Sequence, residues 1–483
     1  MKKNLPDSGQ KHPNIVMITC DQLRKDALGC YGNEKIKTPH IDRLAKRGIL
    51  FNYAFVASPV CSPNRGSIAT GRYPSVHGLR FNGMELPQTE TTLMDELHSN
   101  GYLTCGVGKM HFSPQWNLEA SRADPSPECA INPQPEQFPW YGFEQTMITE
   151  DNRVGPYAEY MKKQGLNIWT DLHSFSYPQH ACACSTYPAE HHQTNWIADR
   201  SIEMIKNRDL GKPLFLWTSF VHPHHPFNPP APYDKMYNPD DMPLPKFDEN
   251  EVDRWPRKYR EKYEAVTGTH EAIGMNRLGD EDWKKIKAYY YGMINCIDDA
   301  IGRMLKVIDN ELGLDNTIVL FTADHGEMLG DHHLMFKSTM YDEVTRIPLI
   351  AAGPGIKHNI CESLVSSIDI LPSLLDCAGL TIPDAVQGQS FTKAFTGLPA
   401  NTRDSMLIES PEGRRTLWKK EARISWHNRA DRGELYDHQK DPECFKNLWD
   451  TQEAQSLQKE LMGELVDQII QNVDPLPQRI GMC

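Results

Sequence analysis

Asn14-Ile15-Val16-Met17-Ile18-Thr19-Cys20-Asp21 is the stretch from which the fold is read. It carries no charge before its last residue, and β-branched Ile15, Val16, Ile18 and Thr19 favour an extended chain. Its continuous apolar character marks a strand buried on both faces, as in parallel sheets. It ends on a carboxylate, Asp21. Three further runs repeat the pattern: 102–107 leads into Lys109 and His111, 213–221 into His222, and 317–322 into Asp324 and His325. In open α/β sheets, ligands bind beyond the carboxyl ends of the strands. One polar residue after a strand means little, because loops are polar. Four strands delivering metal-ligating or proton-transferring groups to one edge predict a site.

Between these runs, amphipathic patterns predict helices over 41–47, 92–100, 192–207, 280–310 and 368–377. The alternation makes the fold class α/β, with a large, mostly parallel central sheet flanked by helices. Residues 113–137 and 223–256 are rich in proline and polar side chains and read as surface loops that shape an entrance. Past residue 397 come short strand-like pieces and then a helix over 452–472, a smaller C-terminal α+β subdomain. The expected division is an extended or disordered 1–13, an α/β domain over 14–397, and a C-terminal subdomain over 398–483 with a small antiparallel sheet and helix.

With 483 residues, 39% of them hydrophobic, the chain is long enough for one large domain and a smaller one. The net charge of −13 argues against nucleic acid or an anionic membrane as partner, and no apolar run is long enough to span a bilayer. An anionic substrate would therefore need a locally basic site. Lys2 and Lys3 precede no apolar stretch, so no secretory signal is read. The twelve cysteines lack framework spacing and are expected as free thiols, which places the chain in the cytoplasm. The oligomeric state stays open.

The segment Cys61-Ser62-Pro63-Asn64-Arg65 sets a cysteine at a helix start, with Pro63 suited to the first turn and Ser62 to capping it. Free N–H groups there favour anions and activate nucleophiles, and Arg65 adds a fixed cation. A structural cysteine near a turn explains the pentapeptide equally well. Cys-x-Pro-x-Arg followed by Thr70-Gly71-Arg72, however, resembles the signature of the type I, formylglycine-dependent sulfatases of the alkaline phosphatase superfamily. Asn64 stands where serine is usual. The resemblance extends to 14–21, to 322–332 with Lys337 at the family's spacing, and to Leu435-Tyr436-Asp437, Asp441-Pro442-Glu443 and Asn447-Leu448.

This resemblance implies a sulfuric ester hydrolase whose nucleophile is the hydrate of formylglycine, formed from Cys61 by a separate maturation enzyme. It implies one divalent cation, Ca²⁺ first and Mn²⁺ or Mg²⁺ next, held by Asp21, Asp324, His325 and the modified Cys61. Gln22 takes the place of a second family Asp, and His325 that of an Asn. Arg65, Lys109 and Lys337 would hold the sulfate. His222, with Lys337, would protonate the leaving oxygen, and His111 would take the proton that releases sulfate. Asn82 and His224 are candidates for substrate contact, whereas His77, before Gly78, reads as a turn support.

Two other histidine-rich places are weighed. His180, Cys182 and Cys184 with His191 and His192 fit no standard zinc spacing. In His222-Pro223-His224-His225-Pro226 only His222 matches the family pattern. The nearest alternative activity is a phosphonate monoester hydrolase or phosphodiesterase of the same superfamily. Those enzymes tend to carry Tyr and Thr where Lys109 and His111 stand, so Lys-x-His favours the sulfatase branch. A non-catalytic member would have lost the nucleophile or metal residues, and none is lost. The resemblance implies a sulfated small molecule or saccharide as substrate. Gly108 to Phe112 faintly resembles choline sulfatases, for which Trp116, Trp140 and Trp169 would offer a cation–π wall.

Overall fold

The computed structural model describes residues 12–114, 139–168, 171, 182–264, 275–429 and 432–473. Its larger sheet is built from β1 (Asn14–Asp21), β2 (Ile49–Phe55), β3 (Leu103–Gly108), β4 (Gln145–Ile148), β5 (Leu214–Pro223), β6 (Thr317–Ala323), β7 (Arg346–Ile347), β8 (Leu349–Ala352) and β9 (Asn359–Ser366). The order is β4-β3-β5-β1-β6-β8-β2-β7, with β9 also paired to β2. Pairs β4/β3, β3/β5, β5/β1, β1/β6 and β2/β9 are parallel. Only pairs involving β7 and β8 are antiparallel.

The four strands of the sequence argument, β3, β5, β1 and β6, are thus adjacent and parallel. Gly108 and Thr19 both pair with Ser219, and Thr19 also pairs with Thr322. That register brings Lys109, His222, Asp21 and Asp324 to the same edge. Every residue of β1 is buried, and so is every residue of β3, β5 and β6. This burial explains their unbroken apolar sequence.

Helices α1 (Pro39–Arg47), α2 (Cys61–Thr70), α3 (Leu93–Ser99), α4 (Gln193–Asn207), α5 (Asp280–Glu311) and α6 (Ile370–Cys377) surround the sheet. The predicted starts shift inward where a capping residue belongs outside the helix, as at Thr92, whose side chain accepts from Asp95 N–H. All ten residues of α2 are buried, so it lacks the polar face of a surface helix.

The smaller sheet comprises β10 (Met406–Glu409), β11 (Arg414–Trp418), β12 (Ala422–His427) and β13 (Glu434–Asp437), all antiparallel, and α7 (Gln455–Gln471) packs on it. Its own apolar cluster joins Leu417, Ile424, Leu435, Leu461 and Leu465 to Ala57, Tyr73 and Ile368 of the larger unit. The expectations for 1–11, for most of the loop 113–137, and for Trp116, Trp169 and His180 fall outside the described residues. Trp140 is buried against Phe112, Tyr141 and Phe143, so it packs in the core and forms no cation–π wall. Among the described residues no helix is long and apolar enough to cross a membrane.

Candidate active site

Cys61 is the first residue of α2, with Val60 at the cap position. Ser62 therefore lies inside the helix and does not cap it, contrary to the sequence expectation. Its backbone N–H is instead satisfied by Asn82 Oδ1 at 3.1 Å. The thiol of Cys61 faces Lys337 Nζ at 2.9 Å, His325 Nε2 at 3.1 Å and Asp21 Oδ1 at 3.8 Å. Ligand atoms of Asp21, Cys61, Asp324 and His325 all lie within 4.8 Å of one another, and all four residues are buried.

Several backbone features build this cluster. Asp324 Oδ1 accepts the N–H groups of Gln22 (3.1 Å) and His325 (2.9 Å), locking the ends of β1 and β6 together. A Cβ on Gly326 would lie 1.9 Å from Glu343 O, so only glycine permits the tight path after His325. His325 Nδ1–H donates to Gly326 O at 2.8 Å, which turns the Nε2 lone pair toward Cys61. Burial opposes a charge on His325, but Asp324 and Cys61 beside it pull its pKa up to about 9. The same anionic surroundings would hold a metal cation in place of that proton. Gln22 Oε1 is a buried acceptor with no partner among the described residues, while its amide N–H groups go to Glu327 and His225. These donors fit a divalent cation.

Arg65 is wholly buried. Its Nε donates to Asp324 Oδ2 at 2.8 Å, and Nη1 to Lys109 O at 2.5 Å and Ser219 Oγ at 2.7 Å. Asn64, the departure from the usual serine, ties the start of α2 inward. Its amide donates to Asp324 O, and its Oδ1 accepts from Ala57 N–H and Ser367 Oγ.

Lys109 follows Gly108, whose φ is +90° and whose added Cβ would lie 1.9 Å from Ser219 O. Its ammonium sits 2.5 Å from Asp21 Oδ2 and 2.6 Å from Asp151 Oδ2. Burial alone would lower its pKa, but Asp151 and Asp21 raise it well above the ordinary lysine value. Burial would raise the pKa of Asp21, but Lys109, His224, Lys337 and Arg65 together hold it well below the usual carboxylate range. His111 is buried, and its backbone N–H donates to Glu150 Oε1 at 2.9 Å. Burial, then Lys109, pushes its imidazole well below the ordinary value.

Lys337 also donates to His224 Nε2 at 2.8 Å, and His224 Nδ1–H donates to His225 O at 2.7 Å. Burial and Lys337 bring His224 down to about 4, so it is a neutral imidazole near pH 7. His222 Nδ1 lies 2.9 Å from Thr194 Oγ1, and its ring is 4.7 Å from that of His192. Burial and then His192 push it well below the ordinary value. His77 accepts Leu79 N–H and bonds Ser67 Oγ.

Sequence reasoning missed Asp151, Glu150 and Ser219. Asp151 and Glu150 follow β4 as Lys109 follows β3, so the strand-end rule applied to one more strand would have found them. Residues 145–148 lack the apolar run that flagged the other strands, because this edge strand is mostly exposed. Among the described residues, Cys182, Cys184, His191 and His192 form no metal-ligating group: His191 bonds Tyr160, and the His192 ring lies 4.7 Å from that of His222.

A family model described as Sulfatase matches residues 13–380. The chain belongs to the sulfatase family. A second model, described as N-sulphoglucosamine sulphohydrolase, C-terminal, matches residues 330–471. This sulfatase is 32% identical over 473 residues to an arylsulfatase of Clostridium perfringens, covering 94% of each chain. It is 31% identical over 420 residues to a multifunctional alkaline phosphatase superfamily protein of Trinickia caryophylli, covering 82% of this chain and 80% of that one. Its fold matches the phosphonate monoester hydrolase of Agrobacterium radiobacter with a TM-score of 0.81 at 23% identity, covering 96% of each chain. It is a sulfatase-type hydrolase, and the buried cluster of Cys61, Asp21, Asp324 and His325 is consistent with a formylglycine-type, metal-assisted site.

Proposed function

We propose that this sulfatase cleaves sulfate monoesters of small molecules or saccharides after a maturation enzyme converts Cys61 to formylglycine. The observation that carries the reading is the convergence of Asp21, Asp324, His325 and Lys337 on Cys61 at the head of a buried helix. The formylglycine hydrate supplies one hydroxyl to attack sulfur and a second to expel sulfate afterwards. Asp21, Asp324, His325 and Gln22 Oε1 would hold the divalent cation, which supplies Lewis acidity that makes the nucleophile more acidic. Ca²⁺ is the proposed ion because oxygen donors predominate, and Mn²⁺ or Mg²⁺ are the alternatives that metal analysis separates.

Arg65 keeps Asp324 and the ends of β3 and β5 in register, so its contribution is chiefly to orientation. Lys109 and Lys337 hold sulfate oxygens and spread the charge that develops there. In the unmodified protein Lys337 has its pKa raised, with Cys61 and Asp21 acting against burial. It is the proposed donor to the leaving oxygen. His224 accepts from that ammonium, which favours His224 over His222 as the imidazole acting with it. His222, bonded to Thr194, supports the wall behind. His111, kept neutral by burial, is the proposed base for the hydrate's second proton. Asn82 contributes by capping the nucleophile helix.

Turnover of an aryl sulfate compared with a phenyl phosphonate monoester tests the reaction class on protein with formylglycine confirmed by peptide mass. A higher kcat/KM for the sulfate supports the proposal, and a higher value for the phosphonate overturns it.

A further inference from the structure

We propose that Asp151 sets the charge of the substrate this site accepts, tuning it to a singly charged sulfate ester and against a doubly charged phosphate monoester. The inference rests on the sulfatase reading and on a feature that reading does not use. Lys109 is clamped between two carboxylates: Asp21 at 2.5 Å on the metal side and Asp151 at 2.6 and 2.7 Å on the other. Asp21 is wholly buried, whereas the Asp151 side chain keeps 30% of its surface. Asp151 Oδ1 also lies 4.0 Å from His224 Nδ1, and His224 contacts Lys337. Asp151 therefore spans the wall between the two lysines proposed to hold the sulfate, on its open side.

The charges facing the nucleophile can be followed group by group. Arg65, Lys109 and Lys337 are cations, and of the carboxylates Asp324 pairs with Arg65 while Asp21 and Asp151 pair with Lys109. These groups cancel. A divalent cation leaves a double positive charge, and an ionised nucleophile leaves a single one. That matches the single negative charge of a sulfate monoester. Without Asp151 the site would match the double charge of a phosphate monoester above its second pKa, near ~6. Glu150 and Glu327 sit one layer out, since Glu150 accepts Met110 and His111 backbone N–H groups and Glu327 accepts those of Leu329 and Phe336. Asp151 bonds the Lys109 ammonium through both of its carboxylate oxygens. It acts through Lys109 and through its field, as a specificity-determining residue.

Asp151→Asn keeps an oxygen for Lys109 while removing the charge, and Asp151→Glu keeps the charge. Two quantities are measured at pH 8. One is kcat/KM for aryl phosphate relative to aryl sulfate in the formylglycine-bearing enzyme. The other is the Kd ratio of phenyl phosphate to phenyl sulfate by calorimetry in a Cys61→Ala background, which needs no turnover. With Asp151→Asn, both ratios should move toward phosphate by about tenfold or more, the scale of one unit charge several ångströms away in a partly solvated site. Asp151→Glu should restore the parent ratios. If Asp151→Asn lowers phosphate and sulfate in equal proportion, or leaves the ratios unchanged, Asp151 is only a tether for Lys109 and the proposal is overturned. Absence of sulfate turnover in the parent enzyme would instead overturn the function reading, and the calorimetric ratio would still decide the role of Asp151.

Discussion

Arg65 shows how much a single side chain carries here. One guanidinium reaches Asp324, the carbonyl of Lys109 and the hydroxyl of Ser219, which lie on or just after three different strands. A lysine offers one compact charge and cannot make these contacts together. Arg65→Lys should therefore lower kcat/KM by roughly 100-fold or more, the scale of losing one preorganised donor, even though the charge is kept. Steady-state kinetics on the folded variant check this, and near-parental activity would refute the orienting role. Gly66, next in the chain, has a different constraint: a Cβ there would lie 2.8 Å from His77 Cε1. The sequence reading of His77 as a turn support agrees with its place, wedged beside α2 and accepting Leu79 N–H. Asp151 was not legible because it follows β4, an edge strand whose exposed residues lack the apolar run that marks the other strands.

At the scale of elements, the start of α2 is capped from a distance. Asn82 Oδ1 accepts Ser62 N–H, in place of the local cap that the sequence led one to expect from Ser62 itself. Asn82→Ala should cost about 1 kcal/mol of stability, as for other lost caps, and Asn82→Asp should recover most of it. Denaturant unfolding of the three proteins checks this, and an unchanged midpoint for Asn82→Ala would remove the cap from the account. Strands β1, β3, β5 and β6 were legible because burial on both faces demands apolar residues throughout. Short β7 and β8 were not, since two to four residues carry no period. The C-terminal sheet was legible only in outline, because its strands share their apolar cluster with Tyr73 and Ile368 of the larger unit.

For the whole molecule, buried neutral histidines make stability depend on pH. Burial lowers His77 to about 3 from an ordinary 6.5, and burial followed by Arg153 lowers His192 to about 3. Folding thus favours the neutral imidazole. The stabilisation is fully present above the unfolded value of 6.5 and is lost as pH falls from there toward 3. Each such histidine steepens the loss by up to about 1.4 kcal/mol per pH unit. Urea unfolding at pH 7, 6 and 5 should show this decline, with a shallower slope in His77→Asn. A slope identical to the parent's would show that His77 does not contribute.

All of these features serve Cys61, whose place among Asp21, Asp324, His325 and Lys337 has meaning only if the thiol is converted. The direct test is sulfate-ester turnover measured against the fraction of Cys61 present as formylglycine, read by peptide mass in preparations made with and without a maturation enzyme. The account predicts activity proportional to that fraction and none at zero conversion. Equal turnover by protein carrying only the unmodified thiol would contradict it.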